Sequence, residues 1–134
     1  LVEEWVEGME ISVPVLVDRV LPVVEIVPKT GRYDFAMKYL PGATEEICPA
    51  RISSNLTAKI QEYALKAHQI MGCEGATRTD MIIKPDGTPM ILETNTLPGM
   101  TPTSLLPKSA ATAGISFEDL CVTILEDALT KAPS

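Results

Sequence analysis

Hydrophobic and polar residues alternate from the first positions of the chain, Val2, Glu4 and Val6 set against Glu3 and Trp5, with the two-residue period of a strand. No initiator Met or cap precedes this run, so it reads as a strand already in progress and suggests a piece of a longer protein. After Glu7-Gly8 a second run, Glu10 to Val17, is rich in β-branched residues. Asp18-Arg19 separates it from a third, Leu21 to Val27, carrying Val23, Val24, Ile26 and Val27. An antiparallel meander is the simplest arrangement of the three. From Pro28 to Pro49 neither period is sustained, and Gly31, Pro41 and Gly42 punctuate aromatic and charged residues. A loop of that length inside a compact domain is a functional lid or is disordered, and Tyr33, Phe35 and Tyr39 supply area that can dock.

The period then changes. Ser53, Ser54 and Asn55 offer N-cap side chains, and Leu56, Ile60, Tyr63, Ala67 and Ile70 recur at helical spacing before Gly72. Apolar alternation returns from Ala76 to Asn95 around Pro85-Asp86-Gly87, predicting a hairpin. A short helical turn is predicted with Pro107 near its start and Gly114 past its end, and Ser116 caps a last helix through Leu120, Ile124, Leu125 and Ala128. These elements predict an α+β fold, an antiparallel sheet with packed helices and a long lid loop.

Composition narrows the function. At 134 residues, 46% hydrophobic and 22% charged, the chain is expected to be one folded, soluble domain spanning 1-134. A net charge of -7 disfavours nucleic acid or an anionic membrane as partner. Lys29, Arg32 and Lys38 form the nearest thing to a basic patch, suited to one small polyphosphate. Cys48, Cys73 and Cys121 lack disulfide or zinc spacing, which fits a reducing cytoplasm, and no apolar run approaches the roughly 20 residues that cross a bilayer.

The chemistry concentrates in the hairpin, Arg78-Thr79-Asp80-Met81-Ile82-Ile83 and Met90-Ile91-Leu92-Glu93-Thr94-Asn95. If its loop has an even number of residues centred on Asp86-Gly87, Asp80 opposes Glu93 and Arg78 opposes Asn95, all on one face. Directly opposed side chains start about 4.5 to 5.5 Å apart, where two carboxylates repel unless a cation lies between them. Hard oxygen ligands suit Mg²⁺, which needs few protein ligands when phosphates and water complete its octahedron. Two ions sharing the longer glutamate would suit phosphoryl transfer, with Arg78 neutralising anionic oxygens. The alternative is a solvated polar face, and a three-residue loop with a bulged glycine would put Asp80 and Glu93 on opposite faces.

The string Glu93-Thr94-Asn95-Thr96-Leu97-Pro98-Gly99-Met100-Thr101-Pro102-Thr103-Ser104-Leu105-Leu106-Pro107 closely resembles the signature of D-alanine–D-alanine ligases, members of the ATP-grasp superfamily. Gly75 to Asp80, the lid-like Tyr33 to Tyr39 and the helix segment Ala64 to His68 agree, so the resemblance spans nearly the whole chain. It implies the ATP-grasp carboxy-terminal subdomain, with the amino-terminal domain and central subdomain absent. In such a ligase ATP phosphorylates the carboxylate of one D-alanine, and the amine of a second attacks the acyl phosphate, for peptidoglycan synthesis.

By this likeness Asp80, Glu93 and Asn95 hold two Mg²⁺ ions (Mn²⁺ as a substitute), and Arg78 with the Gly99 N–H steadies the tetrahedral oxyanion. Ser104 and the Leu105 N–H take the second substrate's carboxylate. Lys38 meets nucleotide phosphates, while Tyr39 helps close the pocket and favours the dipeptide over a D-lactate ester. Glu3, Trp5 and Val6 resemble the adenine-contacting hinge, and Glu10 the ribose-hydroxyl acceptor. His68 is read as a packing or surface residue. The parent is expected to be a cytoplasmic homodimer, and the 134 residues alone are expected not to turn over. A D-alanine–D-serine or D-lactate ligase, or a non-catalytic packing fragment, are the alternatives.

Overall fold

A computed structural model of the chain describes residues 2–28 and 44–131. The elements run β1 (Met9–Leu16), β2 (Arg19–Val20), β3 (Val24–Pro28), β4 (Thr44–Ile47), α1 (Ser54–Ile70), β5 (Ala76–Ile83), β6 (Pro89–Asn95), α2 (Leu105–Thr112) and α3 (Phe117–Lys131). The strands form one antiparallel sheet in the order β4-β3-β1-β5-β6, with β2 folded back on the end of β1. β1, β3 and β4 make an antiparallel meander, though with β4 as its third strand in place of the expected strand at Val2–Val6. Helix α1 then carries the chain across, so that β5 pairs with the other side of β1 along its whole length.

Alternation along β1 builds two cores. Ile11, Val13 and Val15 face one way and are fully buried with Val23, Met81, Ile83 and the Ile60–Ala64 stripe of α1. Leu16 faces the other way and joins Leu21, Ala76, Leu106, Ala110 and Leu120 beneath α2 and α3. The helix ends follow the sequence signals. The Ser53 hydroxyl accepts the Leu56 N–H, Gly72 closes α1 at φ 63°, and Ser116 accepts the Asp119 N–H ahead of α3.

Three expectations need correction. Residues 2–8 form no strand: the β1–β5 ladder ends at Met9 opposite Ile83, and the chain before Met9 runs past the end of β5, where the turn offers no ladder. Val2 and Trp5 are accordingly exposed. The third strand starts at Val24, because Leu21 donates its N–H to Pro14 and Pro22 gives its carbonyl to Ser109. The predicted loop from Pro28 to Pro49 contains β4, whose Glu45 and Glu46 hide it from an apolar pattern although its backbone pairs with β3. The lid-like Tyr33 to Tyr39 lies outside the described residues.

Candidate functional site

The hairpin reaches the expected pairing by an unexpected route. Arg78 lies opposite Asn95 and Asp80 opposite Glu93. Yet the connection, Lys84–Thr88, is odd-numbered, and next to it Met81 opposes Ile91 and Ile83 opposes Pro89. A β-bulge absorbs Leu92 between the two registers and returns Glu93 to the face of Asp80. Without it, regular alternation would turn Glu93 toward α1. The turn is closed by the Lys84 N–H to Thr88, the Thr88 N–H to the Asp86 carboxylate and Gly87 at φ 82°.

Asp80 is buried and accepts three hydrogen bonds. Its Oδ1 accepts the Ser12 hydroxyl at 2.7 Å and Arg78 Nε at 3.0 Å, and its Oδ2 accepts an Arg78 terminal nitrogen at 2.9 Å. Both partners sit on the same sheet face, Ser12 directly opposite on β1 and Arg78 two residues back on β5. A carboxylate has roughly four acceptor positions, so this one keeps a free direction on Oδ2. Glu93 is exposed and has no hydrogen-bonded or ion-paired partner among the described residues. The Asn95 side-chain oxygen accepts the Leu97 N–H at 2.9 Å and turns the chain out of β6.

These groups line a cleft of about 490 Å³, with Glu10, Thr44, Glu46, Thr103, Ser104 and Leu105 completing its polar wall. Ser104 starts α2 but does not cap it; its hydroxyl accepts the Thr101 N–H at 3.1 Å and lies 2.8 Å from the Thr101 hydroxyl. Gly99 stands against it, since a Cβ there would come within 2.7 Å of the Ser104 oxygen, so only glycine fits without displacing that hydroxyl. The cleft therefore has an acidic floor on the sheet and a wall of hydroxyls and helix-start N–H groups.

Of the residues singled out from sequence, Glu10, Arg78, Asp80, Glu93, Asn95, Ser104 and Leu105 share this cleft, with Gly99 beside it. Glu3, Trp5 and Val6 precede β1 and do not line it. Lys38 and Tyr39, like Lys29 and Arg32, lie outside the described residues. Sequence reasoning missed Ser12, Thr44, Glu46 and Thr103. Ser12 had a signal, a hydroxyl between Ile11 and Val13 in an otherwise apolar run; Glu46 had none, because only the fold brings β4 to α2. His68 is buried by α1 against β5, its Nδ1 2.9 Å from the Thr77 hydroxyl, and desolvation holds its pKa below the usual value.

The donors suit a hard divalent cation. Two opposed carboxylates and an amide oxygen are the few oxygen ligands Mg²⁺ takes from protein when phosphates supply the rest. Among the described residues no group of three or more His, Cys, Asp or Glu side chains converges to hold a metal ion, so any ion here would take only Asp80 and Glu93 as carboxylate ligands. The three cysteines are unpaired, and no helix among the described residues is long and apolar enough to cross a membrane.

Comparison with known proteins places the chain in a family setting. Residues 1–126 match the family described as D-ala D-ala ligase C-terminus. The D-alanine--D-alanine ligase of Anaeromyxobacter dehalogenans (strain 2CP-C) is 51% identical over 132 residues, covering 98% of this chain and 43% of the relative. The crystal structure of the Bacillus anthracis D-alanine--D-alanine ligase complexed with ATP superposes with a TM-score of 0.81 at 34% identity, over 96% of this chain and 42% of that one. The Enterococcus faecalis VanG D-Ala:D-Ser ligase follows at TM-score 0.76 and 31% identity, over 92% of this chain and 37% of that one. The chain thus spans less than half the length of the relatives it matches.

Proposed function

The chain belongs to the family of D-ala D-ala ligase carboxy-terminal regions, and on that premise we propose that residues 1–134 are the carboxy-terminal ATP-grasp subdomain of an ATP-dependent D-alanine–D-alanine ligase. The observation that carries this reading is the convergence of Asp80, Glu93, Asn95 and Arg78 on one sheet face beside the Ser104–Leu105 helix start. The same reading makes the parent a cytoplasmic homodimer acting on D-alanine, for peptidoglycan synthesis, without nucleic acid or membrane as partner.

In this mechanism ATP phosphorylates the carboxylate of the first D-alanine, and the amine of the second attacks the acyl phosphate. The tetrahedral intermediate collapses to D-alanyl-D-alanine and phosphate. Asp80, Glu93 and Asn95 would hold Mg²⁺, which when bound supplies positive charge for the phosphoryl oxygens. Arg78 and the Gly99 N–H meet the oxyanion, at a place where fixed donors cost no reorganisation during reaction. Ser104 and the Leu105 N–H take the second carboxylate; the helix start contributes the positive end of the α2 dipole. Glu10 accepts from the ribose, while Lys38 and Tyr39 serve nucleotide phosphates and closure. Glu3, Trp5 and Val6 would meet adenine only when the rest of the parent completes the hinge.

The test uses the full-length parent with ATP, Mg²⁺ and D-alanine. Asp80→Asn should lower dipeptide formation by about 10²-fold or more, the scale for losing a group that stabilises transition-state charge. Turnover near the parent's rate would refute the reading. Offering D-serine or D-lactate as second substrate decides the alternatives, with D-alanine expected to win.

A further inference from the structure

Among its described lining residues the cleft carries more acid than base. Its described lining includes the carboxylates of Glu10, Glu46, Asp80 and Glu93 but a single cationic side chain, Arg78, which is committed to Asp80. Divalent cations would answer Asp80 and Glu93 under the reading above, on which this inference rests. They leave Glu10, assigned to the ribose above, and Glu46, which sits on β4 and lines the same cleft as Ser104 and Leu105, where a substrate carboxylate is to dock. An unmasked anion there repels an incoming one, and a low-dielectric, partly desolvated wall enlarges the effect.

Lys108 supplies the mask from outside the cleft. It lies one helical turn after Ser104, and its backbone N–H donates to the Ser104 carbonyl. Its ammonium lies 2.7 Å from Glu46 Oε2 and 3.4 Å from the Glu46 carbonyl oxygen, with the acid side chain 24% exposed and the lysine 37%. The next residue holds the helix in place: Ser109 is fully buried and donates its hydroxyl to the Pro22 carbonyl at 2.6 Å. So α2 carries the carboxylate-accepting Ser104–Leu105 at its start, and one turn later the cation that neutralises the acid across the cleft.

We propose that Lys108 determines affinity for the carboxylate-bearing second substrate by masking Glu46. It touches no substrate and acts through the glutamate. Charge masking and mechanical tethering of α2 make opposite statements about the double variant, which is what the experiment exploits.

In the full-length ligase, Lys108→Met should raise KM for the second D-alanine on the order of tenfold, with kcat and the KM for ATP within twofold. Lys108→Arg should retain the parent's values. Glu46→Gln alone should leave that KM unchanged or lower it, and Glu46→Gln with Lys108→Met should bring it back toward the parent. Three results overturn the proposal: an unchanged KM in Lys108→Met, a double variant as impaired as the single, or a raised KM in Glu46→Gln. Thermal unfolding of each variant guards against misfolding, and the Glu46→Gln arm decides even if Lys108→Met is unstable. Loss of activity in Asp80→Asn alongside a silent Lys108→Met would sink this inference alone, whereas a silent Asp80→Asn would sink the ligase reading beneath it.

Discussion

Successive residues of β5 belong to two different molecules, in effect. Thr77, Thr79, Met81 and Ile83 face α1 and are closed off from water, with Thr77 and Met81 completely buried. Arg78 and Asp80, one step away on the same backbone, face the other side, where α2 and α3 cover only the end of the sheet near Ala76 and Leu16. The first face is held by area and shape. The second is held by a part-buried ion pair with a bidentate guanidinium and by a serine, an arrangement that partly desolvates charge and leaves Glu93 facing it from β6. Fixing opposed carboxylates this way adds little to stability, since a buried ion pair recovers its desolvation cost only with good geometry and full hydrogen bonding. The contrast shows that stability and chemistry are separated here by one residue of register.

The most severe way to break that separation is to move one carboxylate by one position. Leu92→Glu combined with Glu93→Leu keeps composition and charge but puts the acid on the bulge and a leucine opposite Asp80. In the parent ligase, turnover should fall by about 10²-fold or more and the joint stabilisation by nucleotide and Mg²⁺ should shrink, as read by thermal shift. Near-normal activity would mean that the bulge does not set the site.

That bulge also marks the limit of what the sequence could disclose. The pairing of Asp80 with Glu93 was legible from spacing around Asp86-Gly87, but through a false premise: the connection is odd-numbered, and Leu92 makes good the difference. Bulges leave no trace in a period of two over so short a strand. Helices α1 and α3 were legible because their caps are chemical, Ser53 and Ser116 satisfying backbone N–H groups. β4 was not, since an edge strand reading Thr-Glu-Glu-Ile is held by backbone pairing that no side-chain pattern records. Val2 to Val6 erred the other way, alternating like a strand while pairing with no strand among the described residues. Ser12 and Glu46 depended on long-range adjacency, to Asp80 and to Lys108, that only the assembled fold provides.

A milder perturbation attacks the opposite face. Met81→Ala should destabilise the chain by about 2 to 4 kcal/mol, because Met81 is completely buried between β1 and α1 and its loss leaves a cavity. The substrate KM values of the folded parent should stay within about twofold, since the side chain points away from the cleft. Denaturant unfolding alongside steady-state kinetics checks both halves. A site-selective loss without destabilisation would contradict the division of labour between the two faces.

The gentlest probe is acid, and it tests how dry the α1 face is, since Glu25, opposite Ile11, and His68 both lie on that side of the sheet. His68 packs on the α1 side at 3% exposure, and burial disfavours its charged form, with Lys131 adding to the depression and Asp18 and Asp127 opposing it. Its folded-state pKa therefore lies below the ordinary 6.5, so the unfolded chain binds more protons through that range. The corresponding stability is fully present above 6.5 and is lost as pH falls through that value toward the folded pKa. Glu25 behaves as a carboxylate held low by Arg51, and its contribution is lost only below its ordinary 4.5. The two windows are thus distinct. His68→Gln, which keeps a hydrogen-bonding group toward Thr77 without a titrating one, should flatten the fall in melting temperature between about pH 7.5 and 5 and leave the steeper loss below it. An unchanged slope in that upper window would show that His68 is not desolvated in solution, and that the α1 face is less dry than its packing implies.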